Sequence, residues 1–313
     1  SSMAKYILRR CLWMVVTLLA TAFIIFTILY FTPGDPARVM APGASEADIQ
    51  VLRHQMGLDR PYLVQLGDFL YKSFLKLDFG NSYIYKVPVF QELGNRLPRT
   101  LIIGLSAMVL NLAFGLSLGI FAGTHEGKWQ DSATMAIAMV FISAPDFWVA
   151  LMMIVLFAAK LGWLPAYGIG GFKYYIMPII CTTLGGIAVN ARQTRSSMLE
   201  VFREDFVTTA RSKGQAENVV IRKHMLPNAL MPIITTIGIG FSRIVAGSAI
   251  IENVFSIPGV GLYMLNAINS RDYPAIRGSV LFFAAFTALV MLLVDLVYSF
   301  VDPRIKSQYS SRR

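Results

Sequence analysis

Long runs of apolar residues without charge recur along the chain. A helix that crosses a lipid bilayer needs about 20 apolar residues. No charged residue occurs from Cys11 to Gly34, or from Thr100 to Thr124. The first run is too long for the core of a signal peptide, so we expect it to be retained. These two runs predict membrane spans over residues 11–31 and 100–124.

Four later runs are apolar but are less regular, and three of them contain a charged residue. They predict spans over residues 133–158, 174–191, 231–251 and 279–301. The charged residues within them are Asp146, Arg243 and Asp295. The pattern therefore predicts an all-α integral membrane protein with six membrane-spanning helices, whose two termini lie on the same side.

Glycine at every fourth position marks one face of the second predicted span. Gly115, Gly119 and Gly123 form this face. Small residues at such spacing let two membrane helices approach closely. We therefore expect the face to pack against another helix.

The distribution of basic residues predicts the side of the membrane that each segment faces. Lys and Arg accumulate in cytoplasmic loops, but loops of more than about 60 residues largely escape this rule. With the N-terminus inside, the inner segments hold fifteen basic residues and the two short outer loops hold four. Both termini are therefore predicted to be cytoplasmic. The inner segments then include residues 1–10, 192–230 and 302–313, and the outer ones include residues 32–99 and 252–278.

Composition supports a membrane protein. Hydrophobic residues make up 55% of the 313 residues and charged residues 15%, whereas soluble domains carry about 25% charged residues. The net charge of +10 then reflects cytoplasmic loops and not nucleic-acid binding. Cys11 and Cys181 lie in apolar runs, so we expect no disulfide. Ser1 and Ser2, ahead of Met3, are interpreted as an addition to the natural start.

The sequence contains no catalytic or metal-binding constellation. Its three histidines fall in three different loops and lack metal-ligand spacing. Gly127-Lys128 resembles the end of a phosphate-binding loop, but Trp129 occupies the position of the Ser or Thr that would contact magnesium. We therefore predict a protein that is not an enzyme and binds no ATP, cofactor or metal itself.

A basic stretch, Thr208–Ala229, lies in the longest predicted inner segment. Gly214 divides its surroundings into two pieces that favour helix, Asp205–Lys213 and Ala216–Met225. Leu226-Pro227 is expected to end the second piece, because proline disfavours continuing a helix through it. Two short helices joined by glycine form a compact unit that could bind in a groove on a partner protein. The alternative interpretation is a solvated linker.

The same stretch resembles the signature of the permeases of binding-protein-dependent ABC importers. That signature is Glu-Ala-Ala, three residues, Gly, nine residues and Ile-x-Leu-Pro. Here Thr208-Thr209-Ala210, Gly214 and His224-Met225-Leu226-Pro227 keep the spacing throughout. Ala210, Gly214, Leu226 and Pro227 match by identity, whereas Thr208, Thr209 and His224 depart from it.

Pieces along the rest of the chain are similar to the oligopeptide/dipeptide branch of these permeases, first-subunit type. In order they are MGLDRPYLVQ (56–65), LDFGNSY (77–83), RLPRTL (96–101), DFVTTARSKG (205–214), RKHMLPNALMP (222–232), ENVFSIPGVG (252–261), RDYPAIRG (271–278) and VDLVYSFVDPRIK (294–306). The resemblance covers nearly all of residues 3–306.

This resemblance implies a type I ABC importer permease fold in a prokaryotic plasma membrane. The implied partners are a second homologous permease subunit, two cytoplasmic ATPase subunits that use ATP and Mg, an extracytoplasmic solute-binding protein and membrane lipid. The implied role is a subunit of the translocation pore. The residues that the resemblance assigns to coupling with an ATPase are Thr208, Thr209, Ala210, Arg211, Lys213, Gly214, His224, Leu226 and Pro227.

The resemblance favours peptide import but leaves the solute open. Related permeases of this branch carry dipeptides, oligopeptides, glutathione, nickel chelates or opine-like compounds. An ion-driven secondary transporter is the alternative class, and it predicts an inverted repeat that the sequence does not display. A membrane enzyme is a third class, for which the sequence supplies no catalytic group.

Charged residues inside membrane spans cost ~2.5–3.5 kcal/mol on insertion scales and usually face a cavity or a partner. Asp146 and Arg243 each lie roughly 12 residues, or about 18 Å, from the cytoplasmic end of their span. They are expected either to pair with each other or to line the path, where Arg243 would meet a peptide carboxylate and Asp146 an amine. Asp295 and Glu252 are expected to anchor helix ends, with an outer gate as the alternative for Glu252.

Overall fold

A computed structural model describes residues 2–301, and every regular element within this range is a helix. The α-helices are α1 (Ser2–Phe31), α2 (Pro36–Met40), α3 (Glu46–Gln55), α4 (Tyr62–Leu75), α5 (Val89–Leu110), α6 (Leu116–Thr124), α7 (Trp129–Ser143), α8 (Asp146–Met153), α9 (Lys173–Phe202), α10 (Asp205–Ser212), α11 (Glu217–Val219), α12 (Leu226–Ala229), α13 (Met231–Val254), α14 (Val260–Asn269) and α15 (Tyr273–Val301). Segments of π-helix continue α5, α8 and α11 over Asn111–Gly115, Ile154–Lys160 and Val220–Met225. The predicted tail, residues 302–313, lies outside the described residues.

Five of these helices are long and apolar enough to cross a membrane. They cover Ala4–Phe31, Val89–Thr124, Lys173–Phe202, Met231–Val254 and Tyr273–Phe300. The bent pair Trp129–Ser143 and Asp146–Lys160 gives a sixth span if it is counted as one. The prediction of an all-α membrane protein is confirmed, and most of the helices extend beyond the predicted ends of the spans.

The third predicted span, residues 133–158, is not one straight helix. Its two halves, α7 and α8, meet at 95°. Ala144 and Pro145 are extended between them, with ψ angles of 126° and 136°. A residue before proline avoids the helical conformation, and proline itself donates no backbone hydrogen bond. Asp146 therefore begins a new helix at the bend.

One compact unit consists of residues 3–100 and 258–289. The buried side chains of its core are Tyr83, Val89, Leu93, Val260, Tyr263, Ala267, Tyr273, Ala275 and Ile276. Asp272, 1% exposed, accepts hydrogen bonds from the Ser82 hydroxyl and from the Tyr83 backbone N–H, the latter at 2.9 Å. These bonds attach the loop before α5 to the residue that precedes α15.

The other unit consists of residues 101–257 and the end of α15 from Val290. Within it, the glycine face packs against α9. A Cβ atom at Gly119 would lie 2.4 Å from the Cβ of Thr194, and one at Gly123 would lie 2.8 Å from the Cβ of Met198. Real Cβ atoms do not approach so closely, so the contact requires glycine. The predicted packing of this face is confirmed.

Candidate coupling segment and membrane cavity

Residues 205–229, which we name the coupling segment, run from α10 to α12. Gly214 separates α10 from α11 with a φ of +73°, a left-handed conformation that glycine adopts without strain. The predicted division at Gly214 is therefore confirmed. The predicted helix end at Leu226-Pro227 is wrong, because both residues belong to the first turn of α12.

A small apolar core holds the coupling segment together. Its buried side chains are Met198, Val207, Ala210, Val220, Met225 and Ala229. Ala210 is 5% exposed, and the half-buried Leu226 packs against the same core. The side chain of Ala210 is therefore buried within the segment, and that of Leu226 is partly buried there. Of the other residues assigned to coupling, Thr208, Thr209, Lys213, Gly214 and Pro227 are exposed, and Arg211 and His224 are half-buried.

One polar contact crosses the turn at Gly214, and a second lies after it. The Arg211 guanidinium donates to the Glu217 carboxylate at 2.6 and 3.1 Å and lies 4.2 Å from the centroid of the Phe202 ring. On the other side, Nε2 of His224 lies 2.8 Å from Oε1 of Gln215. The Arg211 hydrogen bonds hold the pKa of the Glu217 carboxyl below its usual range. Sequence analysis assigned Arg211 and His224 to coupling but did not detect these internal partners.

An ion pair joins the first turn of α7 to α9. Arg195 donates from Nε and Nη2 to the two carboxylate oxygens of Asp131 at 2.5 and 2.8 Å. The backbone N–H of Gly127 donates to the same carboxylate at 3.2 Å. In the sequence analysis, Arg195 was only one of the basic residues that predict which segments face the cytoplasm. No local pattern could have revealed the pair, because its members are 64 residues apart.

A cavity of about 310 Å³ lies among α5, α8, α9 and α13. Asp146 and Arg243 both line it, with Asn111, Thr182, Gly186 and Ser248 among the other residues. The buried side-chain oxygen of Asn111 has no hydrogen-bond partner within the described residues. No salt bridge joins Asp146 to Arg243 in the part of the chain that the structure describes. The cavity thus combines apolar walls with two opposite charges.

The two remaining charged residues occupy different environments. Glu252, on α13, has no exposed surface, and its backbone carbonyl accepts a 2.8 Å bond from the Ile257 N–H. Asp295 is half-buried on α15. Both residues interact with other groups. Helix anchoring stays our prediction for both, and the complete burial of Glu252 is what favours it over a gate there.

Comparison with protein families places these features in context. Residues 115–307 match the protein family described as "binding-protein-dependent transport system inner membrane component". Residues 3–104 match the family that describes the N-terminal part of the same membrane components. The chain belongs to this permease family. It is a multi-pass inner-membrane permease of an ABC importer, of the peptide branch, as the sequence predicted.

Curated relatives match over nearly the whole chain. The glutathione transport system permease protein GsiC of Salmonella choleraesuis (strain SC-B67) is 37% identical over 307 residues, which are 97% of this chain and 99% of the relative. GsiC of Escherichia coli (strain K12) is 36% identical over 305 residues, with the same coverage. Binding-protein dependence implies ATPase and solute-binding partners for this permease family.

Solved structures share the fold. Two inward-facing crystal forms of the MetNI methionine ABC transporter match with TM-scores of 0.55 and 0.57. The first match covers 67% of this chain and 96% of the MetNI chain, at 19% sequence identity. The second covers 68% of this chain and 97% of the MetNI chain, at 20% sequence identity. The predicted type I importer permease fold is confirmed. The cytoplasmic placement of the termini stays a prediction.

Proposed function

We propose that this chain forms part of the translocation path of an ATP-driven importer for peptides or peptide-like solutes delivered by an extracytoplasmic binding protein. A second, homologous permease subunit completes the path. Two cytoplasmic ATPases hydrolyse ATP with Mg, while this chain is non-catalytic and binds no cofactor. Because its relatives are glutathione permeases, glutathione is the first solute to test beside a dipeptide. A nickel chelate is the alternative cargo.

The coupling segment carries this proposal. Its own core and the contact of Arg211 with Glu217 across Gly214 hold it as one body at the end of α9. A partner that moves the exposed surface would therefore move α9, because packed interfaces shift between discrete arrangements and do not deform continuously. The positive-inside distribution supports a cytoplasmic position, where an ATPase could bind this surface.

Helix α9 also supports a link from the coupling segment to the cavity. Gly186 of α9 lines the cavity, and Met198 of the same helix belongs to the core of the coupling segment. At 1.5 Å per residue, the two positions are about 18 Å apart along the helix. Movement of α9 at one end would thus change the cavity wall at the other.

The two charges in the cavity support contact with a dipolar solute. Arg243 is placed to receive a carboxylate and Asp146 an ammonium group, and a free peptide carries both. Their pairing with each other in a different conformation is the second possibility, since both residues share one cavity.

Uptake into proteoliposomes tests the proposal. The complete complex would be reconstituted with ATP inside and with the loaded binding protein outside, and accumulation of glutathione or dialanine measured. We expect uptake of at least one of them that requires both ATP and the binding protein. Uptake driven by an ion gradient without ATP would contradict the proposal and favour a secondary transporter.

A further inference from the structure

Two cavities of about 450 and 460 Å³ lie within the unit formed by residues 3–100 and 258–289. Arg277 and Tyr83 line both of them, and Tyr273 lines the second. Arg277 and Tyr273 are four residues apart on α15, so their side chains lie on the same face of that helix. Cavities of this size commonly hold small molecules.

Aromatic rings fix the Arg277 side chain. Its Cζ atom lies 5.6 Å from the centroid of the Phe26 ring and 5.2 Å from that of the Phe69 ring. Contact with ring faces stabilises a guanidinium group but leaves the hydrogen-bond donors in its plane available. The buried Nε of Arg277 has no hydrogen-bond partner within the described residues. The Nε–H group of the Arg277 guanidinium is therefore available to donate a hydrogen bond.

The carboxylates near the two cavities have other partners, among them Asp78, which accepts a 2.8 Å hydrogen bond from the Gly80 backbone N–H. Asp272 accepts bonds from Ser82 and Tyr83. Asp68 lies 2.9 Å from the Lys72 ammonium, whereas Asp35 and Asp59 interact with Arg53 and His54 at 2.7 and 2.5 Å. Within residues 2–301 no salt bridge reaches Arg277. A buried charge without a partner is costly, so a bound anion would stabilise this arrangement.

Tyr273 supplies a second donor. Its side chain is 6% exposed, and its hydroxyl has no hydrogen-bond partner in the described part of the chain. A guanidinium group and a phenolic hydroxyl together match a carboxylate, which accepts several hydrogen bonds through its two oxygens.

We propose that Arg277 and Tyr273 form a binding site for the carboxylate group of a small molecule. The Arg277 guanidinium balances the negative charge, the Tyr273 hydroxyl donates a further hydrogen bond, and the surrounding rings of Phe26 and Phe69 exclude water. The site uses different residues from the cavity of Asp146 and Arg243, and it does not depend on which solute the importer carries.

Calorimetric titration of the complete complex in lipid nanodiscs, without binding protein, tests this site. The probe is succinate, and neutral succinamide is its matched control. We expect saturable succinate binding that is at least tenfold weaker in Arg277→Gln and about threefold weaker in Tyr273→Phe. Arg271→Gln, which removes a nearby positive charge that does not line either cavity, should leave the affinity unchanged, and succinamide should not bind.

Three results would overturn the proposal. The first is the absence of succinate binding to the unchanged complex, and the second is equal affinity in all variants. The third is weaker docking of the binding protein in Arg277→Gln and Tyr273→Phe with unchanged succinate affinity, which would assign Arg277 to a protein partner. Tyr273→Phe removes only one oxygen atom and therefore tests the site even if Arg277→Gln lowers the yield of folded complex.

Discussion

Asp131 and Arg195 form a bidentate ion pair, with N–O distances of 2.5 and 2.8 Å. The Asp131 side chain is only 6% exposed. The pair connects the first turn of α7 to α9, seven residues before α9 ends at Phe202. It therefore lies at the level of the close glycine contacts of α6 with α9, which meet Thr194 and Met198. We infer that it holds this end of α9 in position.

Removing one member of the pair should destabilise the permease and weaken coupling. Arg195→Gln leaves the buried Asp131 carboxylate without its cation, which costs about 3 kcal/mol by comparison with other buried pairs. The expected results are a lower thermal midpoint and a smaller stimulation of ATPase activity by the loaded binding protein. Arg203→Gln is the control, because its contact with Glu126 is longer, at 3.6 Å, and exposed. Equal effects of the two changes would contradict the inference.

Gly119 should tolerate no larger residue. In Gly119→Ala the new Cβ would meet Thr194 Cβ at 2.4 Å, so α6 and α9 must separate, at a cost of about 1–3 kcal/mol. Thermal unfolding of the purified complex measures this cost. Ser117→Ala, on the exposed side of the same helix, should change the midpoint little. A stable Gly119→Ala variant would show that the helix contact is looser than described.

Arg243 distinguishes the two interpretations of the charges in the membrane cavity. If Arg243 contacts the solute, Arg243→Gln should raise the KM for a peptide at least tenfold and leave thermal stability unchanged. If it pairs with Asp146, the same change should lower the thermal midpoint, and the double variant Arg243→Gln/Asp146→Asn should recover part of the loss. If Arg243→Gln changes neither peptide uptake nor thermal stability, both interpretations are wrong.

The contact between Arg211 and Glu217 should respond to acid. Because Arg211 lowers the pKa of the Glu217 carboxyl in the folded protein, the contact stabilises the turn fully above the ordinary glutamate pKa. This contribution is lost as the pH falls through the lower folded value. Amide exchange across residues 213–220, corrected for intrinsic rates, should therefore be unchanged from pH 7 to pH 5 and should become faster as the pH falls below the ordinary glutamate pKa. In Glu217→Gln this acid-dependent step should disappear.

Helix type, membrane character and the glycine face could be predicted because each depends on residues close together in sequence. Apolar runs marked the membrane-length helices, and the spacing of Gly115, Gly119 and Gly123 marked the contact with α9. The division of the helices at Gly214 was predictable for the same reason. Asp146 was visible as a charge within the third run, but the bend at Pro145 was not predicted, because its angle depends on how α7 and α8 pack.

Tertiary contacts determine the features that sequence analysis missed. Ala210 matches the signature, which made it a candidate for docking, yet its burial depends on Met198 and Val220. The pair of Asp131 with Arg195 and the unpartnered donor of Arg277 likewise depend on distant segments. Signature residues therefore mark the coupling segment, but they do not identify which of its atoms meet a partner.

The central claim is that the coupling segment transmits movement between an ATPase and the membrane helices. Gly214→Val forces a branched side chain into a left-handed conformation, at a cost of about 1–2 kcal/mol. Gly162→Val is the matched control, because Gly162 also has a positive φ, +63°, and free space around it. The decisive measurement is the stimulation of ATPase activity by loaded binding protein in the reconstituted complex. We predict at least a fivefold loss of stimulation in Gly214→Val and none in Gly162→Val, whereas equal stimulation in both variants would contradict the claim.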